Sequence, residues 1–185
     1  MLTFDFAPFP TLRTERLTLR QLTSADAPAL FAIRSDPQVM QYIPRPLATS
    51  VADSAAFIDT VNDAMGRNEL LNWGIALRSA ADIIGTIGYY RLQPEHHRAE
   101  IGYMLHPAHQ GQGFMQEAVA AVLKYGFDTL HLHSVEGVID PRNTASAQVL
   151  KRAGFVQEGF FRENELWKGK FLDTVYYSLL CTANR

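Results

Sequence analysis

Hydrophobic and polar positions along this chain switch repeatedly between a period of two and a period near 3.6, and the switches mark the elements. "ERLTLRQL" (Glu15 to Leu22) sets Leu17 and Leu19, with Leu22 after them, against polar neighbours and predicts a first strand. "TSADAPALFAIRSD" changes to helical spacing, with Ser24 as the expected N-cap and Ala29, Leu30 and Ile33 on the apolar face. "TSVADSAAFIDTVNDAMGRN" predicts a second helix ending near Gly66. "LLNWGIAL" and "IIGTIGYYRL" predict two strands about the polar turn "RSAAD". "RAEIGYML" predicts a fourth strand, stopped by Pro107.

From Met115 the apolar positions Ala118, Val119, Val122, Leu123, Phe127 and Leu130 return to helical spacing. "HSVEGVID" predicts a fifth strand, and "NTASAQVLKRAG" a helix closing at Gly154, a residue suited to the position after a helix end. "FVQEGFFRENELW" and "FLDTVYYSLL" predict two last strands joined as a hairpin by "KGK". Hairpin-linked strands together with strand–helix–strand crossovers predict a mixed α/β sheet of about seven strands with flanking helices. No repeat, low-complexity tract or long linker divides the chain, so one domain over residues 1–185 is expected.

Composition narrows the function more than the fold. The 185 residues are 47% hydrophobic and 19% charged with a net charge of −2, so nothing in the overall charge favours nucleic acid or an anionic membrane surface. An anion site must therefore be local. Cys181 is the single cysteine, which rules out an internal disulfide and predicts a reducing compartment. "MLTFDFAPFPTL" lacks a basic leader region, and no apolar run reaches the ~20 residues of a membrane helix. A cytoplasmic protein without a membrane partner is expected.

One local feature does carry chemistry. In "HPAHQGQGFMQEAVAAVLKYGF", Gly111 and Gly113 stand directly before a long amphipathic helix, where a capping side chain would normally serve the first backbone N–H groups. Such an opening leaves donors bare beside a positive dipole end, an arrangement suited to phosphate. Glycines before a helix also serve as plain punctuation.

The order of elements, with that loop after the fourth strand, resembles the GCN5-related N-acetyltransferase superfamily. The resemblance covers roughly Arg13 to Leu180. The strings "TERLTLRQL", "RSDPQVMQYI", "AEIGYMLHPAHQGQGFMQEA", "PRNTASAQVLKRAGF" and "EGFFRENELWKGKFLDTVYYSLL" are similar to the branch that acetylates ribosomal-protein N-termini. It implies the fold of that superfamily, with the fourth and fifth strands splayed apart. It also implies acetyl-coenzyme A as cosubstrate, held at its pyrophosphate by backbone N–H groups across Gln110, Gly111, Gln112, Gly113, Phe114 and Met115. Gln110 replaces the commoner Arg there, and Met115 the usual small residue. In relatives the fourth strand carries a bulge and opens a slot for the pantetheine arm, with a backbone N–H near Met104 or Leu105 holding the thioester oxygen.

The resemblance places Asn143 and Ser146 on the pantetheine arm and the thiol end, although Asn143 also suits a helix N-cap. Many members have a tyrosine seven residues after this Asn as proton donor; Leu150 stands here, leaving Ser146 as the candidate acid. Glu100 is the one carboxylate in its strand and is the candidate base, because acylation needs a neutral amine. An ion pair with Arg98 or Arg91 is the alternative. The six histidines lack the spacing and partners of a ligand set, so no metal is expected. Trp73 and Trp167 suit either the core or an acceptor cleft.

The expected function is direct transfer of an acetyl group to a primary amine, by resemblance an N-terminal α-amine such as that of a ribosomal protein. A small-molecule amine acetyltransferase and a non-catalytic acyl-coenzyme A sensor are the alternatives, and a monomer or homodimer is expected.

Overall fold

The computed structural model describes residues 1–181. The first half contains strands β1 (Leu12–Arg13) and β2 (Leu17–Arg20), helices α1 (Ala27–Arg34), α2 (Pro37–Met40) and α3 (Val51–Gly66), and strands β3 (Leu71–Leu77) and β4 (Ile83–Gln93). The second half contains β5 (Arg98–Leu105), α4 (Phe114–Asp128), β6 (Ser134–Ile139), α5 (Thr144–Arg152), β7 (Val156–Trp167) and β8 (Lys170–Leu180). All eight strands join one sheet in the order β1-β2-β3-β4-β5-β6-β8-β7. Neighbours are antiparallel except β5 and β6, which the α4 crossover makes parallel.

The predicted strands and helices are present, with three differences. β1 is an eighth strand of two residues, too short for a period to show. α2 is a single turn that Asp36 caps, its carboxylate accepting from the N–H groups of Gln38 and Val39 at 2.7 and 3.4 Å. Thr23, not Ser24, is the capping residue, and it caps a 3-10 turn (Ser24–Asp26) whose last residue, Asp26, is the N-cap of α1. Asp26 reaches back to the Thr23 N–H at 2.8 Å and is itself held by Arg20 at 2.7 Å, so a three-residue 3-10 turn precedes the helix. The last hairpin turns on Lys168 and Gly169, both at positive φ (48° and 75°), the backbone that a two-residue turn between twisted strands demands.

The main core lies between the sheet and α4. Trp73 meets Tyr89 and Tyr125 edge-on with ring centroids 6.3 and 5.8 Å apart, and the buried Tyr89 hydroxyl donates to the Val122 carbonyl at 2.8 Å. Leu22, Leu30, Ile58 and Ile83 form a second cluster with α1 and α3.

What matters for function is where β5 and β6 part. They pair only at Arg98 with Ser134, Ala99 with Val135 and Glu100 with Glu136. Beyond Glu100, β5 continues to Leu105 and β6 to Ile139 without pairing, which is the expected splay. The bulge sits on the other side of β5 from that opening. β4 carries one extra residue between Tyr90 and Gln93, with Arg91 at φ +45°, while β5 pairs in continuous register with β4 from Glu100 to Leu105.

Candidate active site

The loop before α4 owes its shape to its two glycines. Gly111 and Gly113 have φ of 74° and 79°, in the left-handed region where other residues cost roughly 1–2 kcal/mol. A Cβ on Gly111 would meet nothing within 4 Å, so backbone conformation, and not crowding by the protein, requires glycine there. The Gln110 N–H is already used by the Pro107 carbonyl at 3.1 Å, and its side chain donates to the Leu105 carbonyl at 3.0 Å. Gln110 thus ties the loop to the end of β5. The Glu117 N–H is the first to bond back into the helix, to Gly113 at 3.1 Å. Between them, the N–H groups of residues 111–116 have no partner among the described residues. Phe114 and Met115 turn their side chains into the core behind the loop.

Arg16 and Glu117 clamp that loop, two residues for which the sequence offered no spacing signal. Glu117, in the first turn of α4, accepts from the Arg16 N–H at 2.9 Å, from Arg16 Nε at 2.6 Å and from the Thr14 hydroxyl at 2.5 Å. Burial works to raise the Glu117 carboxyl, but these bonds outweigh it and hold the pKa below its ordinary value. Arg16 also donates to the Gln112 carbonyl at 3.0 Å and lies 4.5 Å from the centroid of the Phe114 ring.

Glu100 sits at the root of the slot, opposite Tyr90 on β4 and Glu136 on β6. Its side chain is 17% exposed and pairs with Arg91 at 2.8 Å. Arg98 instead holds the buried Glu136. Desolvation is the strongest influence on Glu100 and raises its pKa; Arg91 pulls it down, Glu136 and Glu165 push it up, and the net shift is upward. Glu136 has the same sequence signature as Glu100, a lone carboxylate among apolar strand residues, and only the fold distinguishes the two.

Beyond Glu100, the edge of β5 through Met104 and Leu105 that faces β6 has no strand partner. Asn143 caps α5, its side-chain oxygen accepting from the Ser146 N–H at 3.0 Å. The Tyr103 hydroxyl donates to the Ser146 carbonyl at 3.3 Å, so the strand on one side of the slot touches the helix that follows the strand on the other. Leu150 is 1% exposed and packs against Gly137, where a built Cβ would stand 3.0 Å from its methyl carbons. Glu100, Met104, Asn143, Ser146 and Leu150 all line one cleft of about 860 Å³. The loop at 110–115 lies outside that cleft's lining.

A smaller cavity of about 280 Å³ adjoins it, sharing Tyr42, Arg45 and Glu165, and Trp167 lines it. Trp73 is wholly buried and donates to the Pro10 carbonyl at 2.6 Å, a core residue. Among the described residues no group of three or more His, Cys, Asp or Glu side chains could hold a metal ion, and no helix is long and apolar enough to cross a membrane.

Residues 16–156 match the acetyltransferase (GNAT) domain. The uncharacterized N-acetyltransferase p20 of Bacillus licheniformis is 38% identical over 170 residues, 92% of this chain and 96% of that protein. The crystal structure of a GNAT-family acetyltransferase from Bacillus anthracis superposes with a TM-score of 0.84 at 29% identity, over 92% of this chain and 98% of that one. The ribosomal protein uS5-alanine N-acetyltransferase of Escherichia coli is 27% identical over 125 residues, 67% of this chain and 64% of that enzyme.

Proposed function

Because the chain belongs to the GNAT acetyltransferase family and is an N-acetyltransferase, we propose that it passes an acetyl group from acetyl-coenzyme A directly to the α-amine of a peptide or protein N-terminus. The residues present fit the family's acyl donor. The bare N–H groups from Gly111 to Met115 form a cradle for the pyrophosphate, with open space over Gly111. The unpaired edge of β5 takes the pantetheine arm as it would a further strand, and a backbone N–H near Met104 or Leu105 receives the developing oxyanion. Asn143 and Ser146 stand along the same arm.

The observation that carries the reading is Glu100 at the root of the slot, lining the same 860 Å³ cleft as Met104, Asn143 and Ser146. Its carboxylate takes the proton of the attacking ammonium, directly or through water. The amine nitrogen then bonds to the thioester carbon, the C–S bond breaks with its electron pair going to sulfur, and the second proton that nitrogen sheds as the amide forms passes to that thiolate. A thiol of ordinary pKa, ~8.5, leaves without much help, so Leu150 in place of a tyrosine does not stop the reaction. Ser146 is the hydroxyl in reach should a donor be used.

An α-amine, with an unperturbed pKa of ~7.8, is about one-seventh neutral at pH 7, whereas a lysine at ~10.4 is almost wholly protonated. A carboxylate, even a raised one, is a base suited to the first. The name of the E. coli relative points the same way. The test compares a short Ser-initiated peptide, its N-acetylated twin carrying a lysine, and spermidine, following acetyl-coenzyme A consumption against pH. Turnover only with the free N-terminus is expected. Preference for spermidine or for the blocked lysine peptide would move the chain to a different acceptor class.

A further inference from the structure

The cleft has a charged wall that acetyl transfer leaves unexplained. Of the three arginines that are neither exposed nor masked, Arg20 holds Asp26 and Arg98 holds Glu136. The third, Arg34 in the last turn of α1, holds no carboxylate and makes no side-chain hydrogen bond among the described residues. Its guanidinium lies over the Phe57 ring, 3.9 Å from the centroid, and it lines the cleft. Stacking fixes the plane of the group while leaving its edge donors free for a planar acceptor. Taking a charge half out of water without a partner is unfavourable, and a fold does so at little gain unless a ligand completes the pair.

The neighbours sharpen the picture. Arg45, from the segment after α2, lines the same cleft and likewise holds no carboxylate among the described residues. Burial first, and then the like charge of Arg45, keep Arg34 below its ordinary pKa; Tyr90 from β4 and Asp53 from α3 act the other way. Asp53 is occupied by Thr49 and Ser50 at the cap of α3. The acids of the cleft are Glu100, which Arg91 holds, and Glu165 from β7. Arg34, Arg45, Tyr90 and Glu100 all line the one cleft. Such a cleft offers carboxylates to an ammonium and arginines to an anion.

We propose that Arg34, with Arg45 at its rim, forms a carboxylate subsite, and that the acceptor is a peptide whose N-terminal amine is followed within the first few residues by an aspartate or glutamate. This rests on the N-terminal reading above and adds a selectivity to it. The amine is delivered to Glu100 because the carboxylate is anchored on Arg34.

The test measures kcat/KM for peptides of equal length beginning Ser-Glu, Ser-Gln and Ser-Lys, and for free glutamate, with the wild-type protein and the variants Arg34→Gln, Arg34→Lys and Arg45→Gln. A charge-assisted, two-pronged contact predicts a preference for Ser-Glu over Ser-Gln of roughly 10- to 100-fold, expressed in KM. Arg34→Gln should erase that preference and leave Ser-Gln within about twofold; Arg34→Lys should keep part of it, as a point charge without the fork. Arg45→Gln, at an exposed position, should give a smaller loss in the same direction. Unchanged affinity for coenzyme A by calorimetry shows that each variant is folded. Equal rates on all three peptides, or an equal loss on Ser-Glu and Ser-Gln in Arg34→Gln, would overturn the subsite and leave the N-terminal reading standing. Reaction with free glutamate alone, lost in Arg34→Gln, would uphold the subsite and overturn the peptide. Reaction with none of them overturns both.

Discussion

Glu100 takes its properties from two opposed influences that a single variant can separate. Burial raises its pKa and Arg91 draws it back, so the acid limb of activity should lie above the ~4.3 of an ordinary glutamate, with turnover falling as pH drops through it. Arg91→Gln removes the restraint and should move that limb further up, with little change at high pH. Glu100→Gln should lower turnover roughly 10²–10⁴-fold with coenzyme A affinity kept, and a limb unmoved by Arg91→Gln would return Glu100 to a structural pair. The same shift has a stability consequence of opposite sign to that of Asp26. Glu100 binds its proton more tightly folded than unfolded, so its contribution is present below the unfolded pKa and lost as pH rises through the folded one. Asp26, lowered by Arg20 and Thr23 against its burial, contributes above its unfolded pKa and loses that as pH falls through the folded one. Glu100 was legible in the sequence because a lone carboxylate in an apolar strand stands out. Arg34 was not, because a basic residue in the last turn of a helix is what the helix dipole favours anyway, and only the fold shows that no acid meets it.

At the level of elements, the loop and α4 behave as one device whose support comes from the other end of the chain. The glycine spacing made the loop visible in advance, and the left-handed backbone at both positions separates it from plain punctuation before a helix. The clamp was invisible, because Arg16 and Glu117 are 101 residues apart and nothing local links them. The same reason hid β1 and α2: a two-residue strand and a single turn have no period, and their partners are supplied by tertiary contact. Gly113→Glu should abolish coenzyme A binding by bulk and like charge. Arg16→Ala removes both the tie to the Gln112 carbonyl and a nearby cation, and should weaken binding by about three- to tenfold in calorimetry while the protein stays folded. Unaltered affinity in both would mean that the cofactor phosphate lies elsewhere.

Across the whole molecule, the parting of β5 and β6 is what the proposed direct transfer depends on. The crossover through α4 makes these two strands parallel, and after Glu100 they diverge as the two walls of the 860 Å³ cleft. On the proposed reading, donor and acceptor are both bound at Glu100 when the acetyl group moves. Covalent transfer through the protein would need an activated nucleophile there; no cysteine is among the described residues that line the cleft, and no histidine is among them to activate the Ser146 hydroxyl. Cys181 follows β8 with its N–H bonded to the His133 carbonyl at 2.8 Å, beside the paired end of β6 and not in the open slot. Initial-rate lines at varied acetyl-coenzyme A and fixed peptide should therefore intersect, and no acetylated chain should accumulate when the donor is supplied alone. Parallel lines together with a mass increase of one acetyl group on the isolated protein would show a covalent intermediate. The Cys181→Ser variant would then tell whether this thiol carries it, since a direct transfer predicts unchanged rates in that variant.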